Sequence, residues 1–310
     1  MIKTPWEILQ NEGLDPALLN GVKKFREEHQ LTEEQKYRVP QPEYFYYGQD
    51  VWRKALAALL AGENLLLTGP KATGKNVLAE NLAAVMNRPL WNVSFHINAD
   101  ASYLIGDDTY NGQSVVFRPD PVTLAARNGG FAVMDEINMA KNEALAVLHS
   151  ALDFRRVIDL PGYDRIEVNP AARFIGTMNY GYAGTRELNE ALCSRFAILE
   201  LPVISENDLK RLFAQTFPDM QEDISLQFQK LFYDLQTKAE HGDISERAVD
   251  LRGLLDAVKL VRRGVTSGEA LEMTVTNKSF DSYERKLIHD VIRVRIPEDL
   301  TSADVFKNPD

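Results

Sequence analysis

The chain contains a single cysteine among its 310 residues, Cys193, which excludes an internal disulfide and a C-x-x-C zinc site. That usage fits a reducing compartment, and Cys193 reads as a packing residue. Long apolar runs are missing too. The longest, such as ALAALLA at 55–61, fall well short of the ~20 residues a membrane span needs, and the opening MIKTPWEILQ carries no apolar signal core. A cytoplasmic location without membrane insertion is the expectation. Basic residues are not in excess: 35 lysines and arginines against 45 aspartates and glutamates leave a net charge of −10, which argues against nucleic acid as a general partner. The histidines at 29, 96, 149, 241 and 289 form no H-E-x-x-H or paired-ligand spacing. His149, on a helical stretch with Leu145 and Leu148, reads as a satisfied structural histidine. Neither a nucleophile elbow nor an N-K-x-D motif is spelled.

What is present is a globular composition, 45% hydrophobic and 26% charged, long enough to bury a real core. Three regions emerge. Residues 1–45 form a short helical segment: Thr4-Pro5-Trp6-Glu7 is a capping box with proline at the first helical position, Asp15-Pro16 opens a helix with Leu18, Leu19, Val22 and Phe25 on its apolar face, and Thr32 caps a third. QPEYFYYG then breaks the pattern at 41–48. From 46 to 203, helices alternate with short apolar strands, NLLLTG, LWNVSF, FAVMD, RFIGTMN and FAILEL, which predicts an α/β domain with a largely parallel sheet. Within it NEALAVLHSAL reads as one helix and 155–168 as a β-hairpin around Pro-Gly-Tyr-Asp. From 204 to 310 helical periodicity takes over, in SENDLKRLFAQTF, ISLQFQKLFYDLQTKAEHG, SERAVDLRGLLDAVKLVRRG and SYERKLIHDVIRV.

Two motifs carry chemistry. After the NLLLTG strand, Gly69, Pro70, Lys71, Ala72, Thr73, Gly74 and Lys75 follow the phosphate-binding pattern G-x-x-x-x-G-K-[ST], and a helix follows. Glycines let backbone N–H groups curl around phosphates, and Lys75 is placed to reach the β- and γ-phosphates. The last position departs from the pattern, with Asn76 where a hydroxyl usually coordinates magnesium. An amide oxygen is a hard-cation ligand, but magnesium demands near-ideal octahedral geometry. Either the amide or a water substitutes, or the nucleotide acts mainly as a conformational switch. Downstream, the strand FAVM delivers Asp135 and Glu136 to a sheet edge, where open parallel sheets bind ligands. Asp135 is placed to hold the metal with Asn76, and Glu136 to polarise the attacking water.

With those motifs in place, the chain resembles the AAA+ ATPases, GPKATGKN as Walker A, FAVMDE as Walker B and RFIGTMN as the sensor 1 strand ending in Asn179. DEINMAKNEALAVLHSALDFRRV and TMNYGYAGTRELNEALCSRF resemble the MoxR clade in particular. The resemblance spans about Tyr47 to Arg263. It implies a P-loop core with a helical lid, ATP and Mg2+ as ligands, a hexameric ring, and a protein client, often one with a von Willebrand factor A domain. It assigns Asn179 to the attacking water or γ-phosphate and Arg195 to a finger reaching a neighbouring subunit, with Arg186 as rival. Arg252, with Arg247 as rival, matches the sensor 2 arginine. Residues 102–121 resemble the helix 2 insert and 155–168 the hairpin before sensor 1, whose aromatics Tyr103, Tyr110, Phe117 and Tyr163 face either a pore or the core. ATP over GTP is the family's expectation alone. Two other readings stay open: a nucleotide-dependent binding module with negligible turnover, and a motor subunit of a DNA-acting complex.

Overall fold

Five short strands rich in leucine, isoleucine, valine and phenylalanine build the central sheet of the computed structural model, which describes residues 4–159, 162–179 and 186–308. They are β1 (Leu65–Thr68), β2 (Leu90–Ser94), β5 (Phe131–Asp135), β8 (Arg173–Thr177) and β9 (Ala197–Glu200), all paired in parallel in the order β2-β5-β8-β1-β9. β1 and β8 are buried at every residue, as a parallel sheet covered on both faces requires. The chain leaves β1 for the far edge of the sheet, works back through β5 and β8, then passes β1 to reach β9. The strand order thus reverses beside β1, and open parallel sheets bind ligands at the carboxyl ends of strands beside such a point, here β1 and β8.

Two antiparallel hairpins interrupt this alternation. The first, β3 (Gly106–Tyr110) and β4 (Val115–Pro119), follows helix α6 (Ala101–Ile105). Its turn is organised by Asn111, whose side-chain oxygen accepts the N–H groups of Gln113 and Ser114 at 3.0 and 2.9 Å. The second pairs β6 (Val157–Ile158) with β7 (Ile166–Glu167), where the sequence predicts it; Leu160 and Pro161 at its tip lie outside the described residues, as do residues 180–185 of the TMNYGYAGTREL stretch. The Tyr163 hydroxyl donates to Asp108 Oδ1 at 2.8 Å and its ring lies 5.5 Å from that of Phe117, so the two hairpins lean on each other. Tyr103 and Tyr110 are exposed, while Phe117 is half-buried against the core.

Helices cover the sheet: α1 (Pro5–Leu9), α2 (Pro16–Glu28), α3 (Glu33–Lys36), α4 (Gln49–Leu60), α5 (Lys75–Val85), α7 (Pro121–Asn128), α8 (Asn142–Leu145), α9 (His149–Leu152) and α10 (Glu190–Cys193). Thr4 forms the expected capping box, and Thr32 stands at the N-cap of α3, its N–H donating to Gln35 Oε1 at 3.1 Å. NEALAVLHSAL does not stay one α-helix. It tightens into a 3-10 turn at Ala146–Leu148, between residues whose ψ relaxes to −16°. At the amino ends of the strands, Arg88 donates to Gly129 O at 2.8 Å and to His29 O, while Arg173 donates to Leu59 O at 2.7 Å. These carbonyls end α7, α2 and α4, so two buried guanidinium groups cap the negative ends of three helices. Burial lowers both arginines to about 10, and they remain charged at neutral pH.

The chain divides into two compact units, residues 1–70 with 74–202, and 71–73 with 203–310. The second is helical: α11 (Glu206–Thr216), α12 (Glu222–Glu240), α13 (Leu251–Arg262), α14 (Ser267–Thr274), α15 (Ser282–Arg295) and α16 (Ser302–Val305). Its buried side chains include Phe213, Phe228, Phe232 and Phe306. The helix expected from Ser245 begins only at Leu251: Ser245 O and Glu246 O accept the Ala248 and Val249 N–H groups in tight turns, and the first i to i+4 bond runs from Leu254 N–H to Asp250 O. Arg247 therefore lies ahead of the helix, not on one of its faces. Helix α14, which periodicity missed, starts from a Thr266–Glu269 capping box and tolerates Gly268 because a Cβ there would meet Glu298 at 2.9 Å. Among the described residues no helix is long and apolar enough to cross a membrane.

Candidate nucleotide site

The phosphate loop runs from the end of β1 to the start of α5. Gly69 has φ 135°, and a Cβ there would lie 2.6 Å from Leu201 O, so only glycine fits. Ala72 (φ 63°) and Gly74 (φ 80°) are both left-handed, which curls the backbone before the helix, and α5 presents its positive end to whatever lies in the curl. Pro70 and Lys71 are exposed and Thr73 is buried. Lys75 opens α5 at only 8% exposure, and its Nζ donates to Gly69 O at 3.0 Å and Pro70 O at 2.7 Å. Burial pulls its pKa down to about 8, and the charges of Asp135 and Glu136 oppose that fall. The lysine and the two carboxylates therefore share one electrostatic environment.

Asp135 ends β5, and Glu136 turns out of the strand in the left-handed region at φ 54°, ψ 45°. That conformation is uncommon outside glycine, and such outliers cluster at functional sites. Across the β5–β8 pairing, the Thr177 hydroxyl donates to Asp135 Oδ1 at 2.6 Å and accepts the Glu136 N–H at 3.2 Å. Two residues on, Asn179 O accepts from Asn138 Nδ2 at 3.0 Å, and Asn138 O accepts the Arg186 N–H at 2.9 Å. Thr177 and Asn138 escaped sequence reasoning, since neither belongs to a motif that names its role.

Arg195 is tied down within its own unit. Its Nε donates to His149 O at 3.2 Å, another nitrogen to Ala191 O, and Nη2 to Asp153 Oδ2 at 3.3 Å. Asp153 also receives Arg155, and these bonds, Arg155's first, hold its carboxyl well below the usual range. Arg186 is exposed and, among the described residues, forms no ion pair. His149 is structural but not satisfied: its Nε2 is buried without a hydrogen-bond partner among the described residues. Burial and Arg195 push its pKa down, which keeps the ring neutral and makes that burial tolerable. Arg252, the second residue of α13, is exposed in the second unit.

The donor set suits a hard cation. Among the described residues no cluster of three histidine, cysteine or acidic groups could hold a metal alone. Magnesium, however, commonly takes one or two protein oxygens plus phosphate oxygens and waters. Thr177 occupies Asp135 Oδ1 and leaves Oδ2, and Asn76 offers an exposed amide on the first turn of α5.

Comparison with known proteins agrees with this geometry. The model of the AAA domain (dynein-related subfamily) matches residues 64–196. The uncharacterized protein SH1500 of Staphylococcus haemolyticus is 34% identical over 258 residues, 81% of this chain and 98% of its own length. The uncharacterized protein YojN of Bacillus subtilis is 34% identical over 242 residues, 76% of this chain and 79% of its own. A crystal structure from Cytophaga hutchinsonii overlays 94% of this chain and 89% of its own at 14% identity and a TM-score of 0.46, too loose a likeness to add weight. The chain therefore belongs to one family with SH1500 and YojN, and its residues 64–196, which hold the loop after β1 and four of the five sheet strands, form an AAA domain of the dynein-related subfamily.

Proposed function

We propose that this chain is a MoxR-like AAA+ ATPase that hydrolyses ATP to remodel, assemble or activate a partner protein. A nucleotide-binding core spans 46–203, a helical lid 204–310, and an N-terminal helical segment 1–45. The observation that carries the reading is the placement of Lys75 at the start of α5, after the curled loop that leaves β1, with Asp135 and Glu136 at the end of β5, two strands away in the same parallel sheet. The Lys75 ammonium binds the β- and γ-phosphate oxygens, and the loop from Gly69 to Gly74 cradles them. Asp135 and Asn76 are the side chains that would hold magnesium, which when bound supplies charge neutralisation on the phosphates. Glu136 accepts the proton of a water that Asn179 helps to align. As the water oxygen bonds to the γ-phosphorus, the bridging P–O bond breaks and ADP departs with the electron pair. Arg195 supplies positive charge to the neighbouring subunit's nucleotide in a ring, taken as hexameric, once it leaves Asp153. Arg252 reports the nucleotide state to the lid. A von Willebrand factor A domain protein is the partner this clade suggests.

A second reading is favoured by one observation, the missing hydroxyl at Asn76: the chain binds nucleotide and assembles on it with negligible turnover. Steady-state phosphate release separates the two. The ATPase reading expects release from the wild type, its loss in Glu136→Gln with nucleotide binding retained, and faster release in Asn76→Thr. Silence from the wild type with release gained by Asn76→Thr assigns the protein to the binding module.

A further inference from the structure

The position after Lys75 carries no hydroxyl, but one stands at the end of β8. Thr177, the last residue of β8, is 1% exposed, and its one hydroxyl touches both residues of the carboxylate pair. The direction of each bond is settled by chemistry. A backbone N–H only donates, so at Glu136 the hydroxyl oxygen accepts, and its single proton goes to Asp135 Oδ1. The consequences differ for the two acids. Asp135 has one oxygen immobilised and the other left for a ligand. Glu136 keeps its left-handed turn because its amide, where the β5–β8 pairing has ended after Met134 and Gly176, finds a side chain in place of a strand carbonyl. Without that bond a partly buried N–H would be unpaired and the turn that aims the Glu136 side chain would lose its anchor.

We propose that Thr177 is a positioning residue that sets both the ligand geometry of Asp135 and the direction of Glu136, through a hydroxyl that replaces none of the loop's own bonds. Tight geometry at Asp135 matters more here than in a chain with a hydroxyl directly after the loop lysine, since Asn76 supplies a longer, exposed amide. The inference rests on the nucleotide-hydrolysis reading, and its test keeps the two apart.

The test compares Thr177→Val and Thr177→Ser with the wild type in binding of a fluorescent ATP analogue, with EDTA and with Mg2+, and in steady-state phosphate release. Thr177→Val is expected to bind the analogue in EDTA within about twofold of the wild type, to lose most of the affinity gained on adding Mg2+, and to fall about 10- to 100-fold in kcat with a smaller change in KM. Thr177→Ser, which keeps the hydroxyl and loses the methyl, restores both. The inference is overturned if Thr177→Val keeps the Mg2+-dependent gain, or if Thr177→Ser falls as far as Thr177→Val, which would make the methyl's packing the cause. Should the valine variant fail to bind in EDTA, Thr177→Ala takes its place under the same two criteria. A wild type that releases no phosphate removes the hydrolysis reading, while the Mg2+-dependent binding still decides Thr177.

Discussion

Lys75 holds a charge that its surroundings only half support, and the sign of its effect on stability follows. Its pKa in the folded chain is about 8 against an ordinary 10.5. Between those values the unfolded chain binds more protons, so stability rises with pH across that window. Lys75→Met removes the burial cost, so in melting curves without nucleotide its advantage over the wild type should be largest below pH about 8 and shrink as pH climbs toward 10.5. A gap that widens with pH contradicts the sign. The candidate site is legible residue by residue wherever its geometry depends on immediate neighbours. The glycines, Lys75 and the Asp135-Glu136 pair each announce themselves within a strand–loop–helix or strand–turn context. Thr177 does not, because its role exists only once β8 lies beside β5, bringing together residues 42 positions apart. His149 was misjudged for a similar reason, since its helix face gives no account of what its Nε2 meets.

Elements show the same division. The five strands and most helices could be read from apolar periodicity and caps, yet the β3–β4 hairpin was missed although Asn111-Gly112 is a strong turn signal. Its strands are largely exposed, so no apolar alternation drew attention to them. The hairpin's link to its neighbour gives a prediction. Tyr163→Phe removes the hydroxyl that binds Asp108, and amide hydrogen exchange should quicken in both 106–119 and 157–167, with a melting change of no more than ~1 kcal/mol. Faster exchange in one hairpin alone would show that the bond does not couple them. At the amino ends of the strands, Arg88→Met strips charged donors from the ends of α2 and α7. It should lower the denaturant midpoint by the equivalent of about 2–4 kcal/mol, with the loss read by Trp91 fluorescence near the site of change. No periodicity could have revealed those arginines as helix caps, because the helices they terminate are remote in sequence.

For the whole molecule, the role given to Arg195 makes a claim about subunits. Glu136→Gln and Arg195→Ala should each be inactive alone, and mixing them should restore part of the phosphate release, since one subunit's carboxylate can then meet another's arginine. Failure to recover on mixing, together with recovery using Arg186→Ala, would transfer the finger to Arg186. Within the first unit, the last strand of the sheet is tied to the start of the loop after β1. The Leu201 N–H bonds to Thr68 O at 2.8 Å, and Leu201 O sits where a side chain on Gly69 would be. The backbone that leads out of the first unit after Pro202 is thus bolted to the first glycine of the phosphate loop. A methyl group at Gly69 would therefore push the end of β9 away from β1, so a single missing carbon lets the loop and the last strand of the sheet share one seam.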